Sequence, residues 1–180
     1  MTSVGKGEAR MTPVSTMISG ILERDLVSLR KEIEAYPAEA DLWRCAEGIT
    51  NPGGTLALHL AGNLQHFIGA VLGATGYVRD REAEFAERDV PRAEVLRRID
   101  ATLAAVKDAL AGLGDADLAR EYPLPIGKVR VDTGDFLIHL ATHLAYHLGQ
   151  VDYHRRMVTR NGTTVSTVAP WRLHTAREDV

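Results

Sequence analysis

Four of the seven histidines in the chain fall between His139 and His154, in the stretch HLATHLAYHLGQVDYH. Steps of three and four residues keep these imidazoles and Gln150 on nearly one side of a helix, since a helix turns every 3.6 residues. His143 and His147 are one turn apart, so their rings can converge on a single ion with bonds of about 2.0–2.1 Å. The pair indicates a metal site, with an ordinary polar helix face as the alternative.

Two ligands hold an ion weakly, so a third must come from another part of the chain, and His59 is the candidate. Asn63, one turn further on, could orient a ligand or contact a substrate, although a hydrogen bond within its own helix would also explain it. His139 could pair with His143 in place of His147, support a ligand from outside the coordination sphere, or simply end the polar side of the helix. A structural or solvent-exposed role is expected for the remaining histidines, His66, His154 and His174.

Four segments carry apolar residues at intervals of three and four, and this period predicts four amphipathic helices. They cover roughly residues 15–35, 55–73, 91–112 and 133–159, and a polar tail follows over residues 160–180. Four such helices predict an all-α fold, a four-helix bundle that forms one domain over residues 1–180. The second helix would carry His59, and the fourth would carry the histidine pair.

Turn-forming residues separate the predicted helices. A turn at residues 51–54 precedes the second helix, with Thr55 as its expected N-cap. Residues 73–89 contain glycines and then many charges, which predicts a solvated crossing, with a lid as the alternative. Residues 128–131 have the pattern of an extended piece that could pair into a short ribbon.

The composition excludes several classes of function. A formal net charge of -3 gives no reason to expect a nucleic-acid partner, because such binding depends on clustered positive charge. No segment approaches the roughly 20 apolar residues that cross a bilayer, and residues 1–10 lack a signal peptide, so we expect a cytoplasmic protein without a membrane partner. The single cysteine, Cys45, cannot form an intramolecular disulfide and is expected to be a small buried residue.

Three stretches resemble the DinB-like superfamily of metal-binding four-helix proteins. LHLAGN, residues 58–63, is similar to the family's second-helix motif, in which a histidine precedes a small residue and an asparagine. HLAYHLGQVDYHRR, residues 143–156, is similar to the fourth-helix signature of two histidines followed by glycine and glutamine. RDREAEF, residues 79–85, also resembles the family's connection after the second helix.

The resemblance implies His59, His143 and His147 as metal ligands, and it implies an up-down-down-up bundle with a long crossing connection. It extends over about residues 18–157 and assigns nothing to the tail or to His139. Members of the superfamily include bacillithiol transferases and a mycothiol-dependent maleylpyruvate isomerase. By this resemblance we expect a metal that activates a low-molecular-weight thiol for transfer to an electrophile or for isomerisation.

Three neutral nitrogen ligands leave coordination positions open, which is typical of a catalytic site, whereas structural zinc has four protein ligands. Imidazoles suit several divalent metals, and zinc or nickel is expected here. Two alternatives stay open: hydrolysis by metal-bound hydroxide, and a metal-binding stress-response module without turnover.

The catalytic residues beyond the metal ligands are not identified by the sequence. Asp135 and Asp152 have the pattern of solvated helix carboxylates rather than of a general base. Gln150, like Asn63 and His139, could support a ligand or contact a substrate. The expected partners are a small thiol, an electrophile and a second copy of the chain, because small bundles often pair through an apolar helix face.

Overall fold

The computed structural model describes residues 13–165, 168–173 and 175–177 of the chain. Over these residues the chain forms helices and no extended strand, which confirms the predicted all-α fold. Its helices are α1 (Val14–Glu34), α2 (Gly53–Leu64), α3 (Arg81–Ala86), α4 (Arg92–Ala111), α5 (Asp115–Leu118) and α6 (Thr133–Thr159). None of the described helices combines the length and the apolar character that crossing a membrane requires. Residues 1–10 and His174, for which expectations were given above, lie outside the described residues.

The four long helices α1, α2, α4 and α6 pack around a common apolar core. Two of them contribute the apolar stripes that their sequences predict, with buried Ile18, Leu22, Leu26, Leu29 and Ile33 on α1 and buried Val95, Ile99, Val106 and Leu110 on α4. α2 differs because every one of its residues is buried. A helix that is covered on all sides presents its polar residues, His59 included, to neighbouring helices.

α2 continues into a π-helical segment, Gln65–Ala70. Backbone hydrogen bonds there reach back five residues, as from the Val71 amide to the His66 carbonyl at 3.1 Å. The Tyr122 hydroxyl, from the loop before α6, donates to the Phe67 carbonyl at 2.6 Å. A π segment interrupts the regular hydrogen bonds of an α-helix. The Tyr122 hydroxyl therefore stabilises this segment and links it to the loop before α6.

Two local predictions before and at the start of α2 are wrong. α2 begins at Gly53, directly after Pro52, so Thr55 lies inside the helix and is not its N-cap. Proline has a fixed φ and no N–H, so it suits the start of a helix without a capping side chain. Cys45 is exposed rather than buried, because it lies in the connection between α1 and α2.

The connections between the later helices also depart from expectation. The predicted solvated crossing, residues 73–89, contains α3 and buries Glu84 against α2. Asp80 begins α3 by accepting a hydrogen bond from the Ala83 amide at 2.9 Å. Residues 128–131 form no continuous ribbon, but they pair locally. Val129 forms an isolated antiparallel pair with Ile126, and the Tyr122 amide donates to the Val131 carbonyl at 2.9 Å.

A buried ion pair joins α1 to α6. Arg155 is fully buried, and its Nε donates to Glu32 Oε2 at 2.6 Å. The same guanidinium donates to Asp152 at 3.0 Å and to the Thr163 carbonyl at 2.9 Å. Arg155 therefore ties the segment after α6 to the bundle as well as holding the two helices together.

Replacing Glu32 by alanine leaves this buried guanidinium without its main partner. We expect the free energy of unfolding to fall by about 3–5 kcal/mol, because the buried guanidinium loses its buried partner and keeps only the partly exposed Asp152 as a counter-charge. Urea denaturation measures the loss. Glu34→Ala, which removes an exposed carboxylate two residues later on the same helix, is the control and should cost less than about 1 kcal/mol. Equal losses for the two variants would contradict a stabilising role for the buried pair.

Candidate metal centre

Three imidazoles meet between α2 and α6. His59 on α2 faces His143 and His147 on α6, and one nitrogen from each ring lies within 4.8 Å of the others. The ring centroids are 5.2 Å apart for His59 and His143, 5.4 Å for His59 and His147, and 4.6 Å for His143 and His147. The structure thus brings together the three residues that the sequence singles out. Within the described part of the chain, no fourth His, Cys, Asp or Glu belongs to the group.

The distance between two of the nitrogens suits a shared ion. His59 Nε2 and His143 Nε2 are 3.4 Å apart. Two nitrogens bonded at about 2.0–2.1 Å to one tetrahedral ion would lie about 3.4 Å from each other. The donor set and this spacing therefore fit a divalent transition metal.

His59 is oriented by a carboxylate that α3 supplies. Its Nδ1 donates to Glu84 Oε2 at 3.0 Å. Glu84 in turn accepts from Arg79 Nε at 2.7 Å and from Arg79 Nη2 at 2.8 Å. Because an ionised carboxylate only accepts hydrogen bonds, the proton of His59 lies on Nδ1, and the lone pair of Nε2 is directed toward the α6 histidines.

The charge of Glu84 is stabilised by these same contacts. Burial alone would raise the pKa of Glu84, but the hydrogen bonds from Arg79 and His59 outweigh burial and leave this pKa below its ordinary value. Glu84 is therefore ionised at neutral pH. The Arg79 guanidinium also lies over the Phe67 ring, 5.5 Å from its centroid, so it is held from two directions.

The two α6 histidines are kept neutral and available as ligands. His147 Nδ1 donates to Gln150 Oε1 at 2.6 Å, which leaves its Nε2 free. Burial lowers the pKa of His147. Burial, together with the neighbouring imidazoles, lowers the pKa of His143 to about 4. Since only a neutral imidazole binds a metal, both rings are ready for coordination at neutral pH.

The other polar residues singled out from the sequence lie around the group rather than in it. Asn63, one turn after His59, is buried, and its Oδ1 has no hydrogen-bond partner among the described residues. His139 is exposed and stacks between Phe136 and His143, at centroid distances of 5.9 and 6.1 Å. His66 is partly buried and also outside the three-histidine group.

His154 is structural, as expected, and it positions the start of α2. Its Nε2 donates to the Arg44 carbonyl at 2.8 Å. Its Nδ1 accepts from the Tyr36 hydroxyl at 2.7 Å and from the Gly53 amide at 3.3 Å. These bonds fix the first turn of α2 against α6. They thereby set the position of His59 along the helix axis relative to the α6 histidines.

The stability that His154 contributes should be lost at acidic pH. Burial lowers its pKa, so below about pH 6.5 the unfolded chain binds a proton that the folded chain does not. The contribution is therefore complete above the unfolded pKa and decreases as the pH falls through it. With a chelator present, the stability advantage of wild type over His154→Gln in urea should shrink between pH 7.5 and pH 5.5. If the stability difference between wild type and His154→Gln grows as the pH falls, this explanation is wrong.

Gly62 allows α3 to approach α2 closely. A Cβ at this position would collide with the carboxylate of Glu84, which Arg79 and His59 already hold in place. We expect Gly62→Ala to displace Glu84 and to weaken metal binding about tenfold, because ligand orientation suffers. Gly149→Ala on α6, where an added Cβ meets open space, is the control. Isothermal titration with zinc measures both, and equal affinities would contradict the role of Gly62.

Sequence reasoning included Glu84 and Arg79 in a stretch that resembles the family's connection, but it gave them no role at the site. Both lie in the charged stretch that predicts a solvated crossing. The available signal was Asp80, whose type and position allow it to begin a short helix at this point. A helix there would have placed part of the stretch against the bundle.

A family model described as the DinB superfamily matches residues 21–151, which is more than half of the chain. The matched range includes His59, His143 and His147, whereas His154 and Arg155 lie beyond it. No curated protein matches the chain.

Proposed function

The chain belongs to the DinB superfamily, and we propose that it is a metal-dependent enzyme that transfers a low-molecular-weight thiol to an electrophile. Membership of this family and the three-histidine cluster fit a metal-binding protein. The cluster carries the proposal, because three neutral imidazoles without a fourth protein ligand in the described chain leave a coordination position for a guest molecule.

We propose zinc or nickel as the ion, since imidazole nitrogens suit both metals. When bound, the ion would coordinate the sulfur of the thiol and lower its pKa, so that thiolate forms at neutral pH. His59, His143 and His147 are uncharged ligands and leave the positive charge of the site uncompensated, which favours an anionic sulfur. The negative charge of Glu84 offsets this effect only in part, because Arg79 pairs with the same carboxylate.

The proposed reaction needs no oxidant or reductant. The thiol proton passes to solvent, and a sulfur lone pair forms the new bond to the electrophilic carbon. The leaving group departs with the electrons of the bond that breaks. Glu84 is not available as a general base, because Arg79 and His59 engage both of its oxygens. Isomerisation would use the same thiolate, which adds to the substrate and later leaves it.

Turnover assays on the purified full chain test this function. The protein loaded with zinc or nickel should consume a model electrophile only when a small thiol is present, and a chelator should stop the reaction. His143→Ala should abolish it, whereas His66→Ala, which removes a histidine outside the group, should not.

Each other outcome selects a different function. Consumption of an ester or amide without thiol would favour metal-assisted hydrolysis and contradict the transferase. Binding of one equivalent of metal without either activity would favour a metal-binding stress-response module. Turnover that persists in His143→Ala would show that the three-histidine cluster takes no part in the reaction.

A further inference from the structure

An apolar cleft of about 410 Å³ lies beside the three-histidine cluster. It is formed by the loop before α2, by the first turns of α2 and by the outer face of α6. Its lining includes Ile49, Leu56, Tyr146, His147, Tyr153 and Met157. A volume of this size accepts a small organic molecule.

The cleft borders the metal centre at His147. His147 belongs both to the three-histidine group and to the cleft wall. Leu56, on the opposite wall, lies one helical turn before His59 on α2. A molecule in the cleft would therefore contact His147, one of the three imidazoles around the open coordination position.

The lining selects against charged ligands. Among the residues that the structure describes, no Asp, Glu, Lys or Arg lines the cleft, although these four types make up 25% of the chain. Three of its apolar or aromatic side chains are strongly exposed: Tyr146 at 66%, Tyr153 at 69% and Met157 at 52%. An ionised ligand would lose hydration there without gaining a partner charge, whereas an apolar ligand would remove these side chains from water.

We propose that this cleft binds an uncharged, largely apolar small molecule with an aromatic or alkyl body. The inference rests on the proposed function in one respect, namely that this molecule is the electrophile. Thr50, Asn51 and Gln150 supply polar atoms along the same lining for an uncharged polar substituent. Apart from His147, the residues that line the cleft lie outside the three-histidine group.

Binding of two matched probes tests the cleft. Naphthalene-2-methanol is uncharged, and naphthalene-2-carboxylate has the same rings with a negative charge. Ligand-observed NMR titration at pH 7.5 should show that metal-free protein binds the alcohol at least about tenfold more tightly than the carboxylate. The metal-loaded protein should bind the alcohol with similar affinity.

Variants locate the bound probe. Tyr153→Ala and Met157→Ala should each weaken binding of the alcohol about fivefold or more, because each removes apolar contact area. Ile138→Ala is the matched control, since Ile138 lies on the same helix, is 51% exposed and does not line the cleft. It should leave the affinity unchanged.

The outcomes separate the cleft from the proposed function. Probe binding that responds to the cleft variants, without thiol-dependent turnover, would support the cleft and contradict the transferase. Failure of the wild-type protein to bind the alcohol would overturn the proposal. So would an affinity equal to that of wild type in both cleft variants. A change of oligomeric state in the cleft variants, measured by sedimentation, would show that a second copy covers this face and would also overturn it.

Discussion

His59→Ala is expected to weaken zinc binding by about 100-fold or more. Structural zinc sites with four protein ligands contribute about 10–16 kcal/mol, so each ligand contributes about 3 kcal/mol, and tenfold corresponds to 1.4 kcal/mol. The loss should be large because α2 supplies one ligand and no other described histidine can replace it in the group. Competition with a chromophoric chelator measures the affinity, and His143→Ala should behave in the same way.

Two histidines near the group serve as controls for these variants. His66→Ala removes an imidazole from the π segment that continues α2, and His139→Ala removes one from α6. Both residues lie outside the three-histidine group, so both variants should bind zinc within about threefold of wild type. A large loss in His139→Ala would show instead that the α6 ligand pair is His139 with His143.

Glu84→Gln is expected to lower metal affinity by about 10- to 100-fold, although Glu84 is not a ligand. The carboxylate fixes the His59 proton on Nδ1, and such partners of metal-bound histidines typically have effects of this size. An amide can still hydrogen-bond to the ring, but it carries no charge to strengthen the imidazole as a donor. Isothermal titration with zinc and the absorption spectrum of the cobalt-loaded protein should both change.

Glu82→Gln is the matched control for this prediction. Glu82 lies on α3 two residues before Glu84, and its side chain is exposed. It should leave both the affinity and the cobalt spectrum unchanged. Thermal denaturation of the metal-free variants distinguishes an effect on the ligand from a general loss of stability, since Glu84 also pairs with Arg79. Zinc affinity equal to wild type in folded Glu84→Gln would be incompatible with an orienting role.

The part of the site that lies on α6 could be predicted because helical periodicity is a local property. His143 and His147 are four residues apart in a segment with a continuous apolar stripe, so their common face follows from the sequence alone. From the residues alone His59 was a candidate for the third ligand, and the family resemblance then implied it as one, because nothing local to α2 says which neighbour it faces. The all-α fold followed from the same periodicity. The up-down-down-up order, the single domain and the homodimer stay predictions.

Glu84 could not be predicted because its burial is decided by tertiary contacts. Its neighbours along the chain are charged, and such stretches are usually solvated. The carboxylate becomes buried only because Gly62 leaves space on α2 and because Arg79 and His59 satisfy its oxygens. His59 lies 25 residues before Glu84 in the chain and on another helix, so no periodic pattern connects the two.

Anomalous X-ray diffraction from crystals of the zinc-loaded full chain tests the metal centre most directly. We predict one ion bonded to Nε2 of His59, His143 and His147 at about 2.0–2.1 Å, with at least one further position not taken by protein. An ion located elsewhere, or one that binds the α6 pair while His59 turns away, would contradict the three-histidine centre on which the proposed function rests.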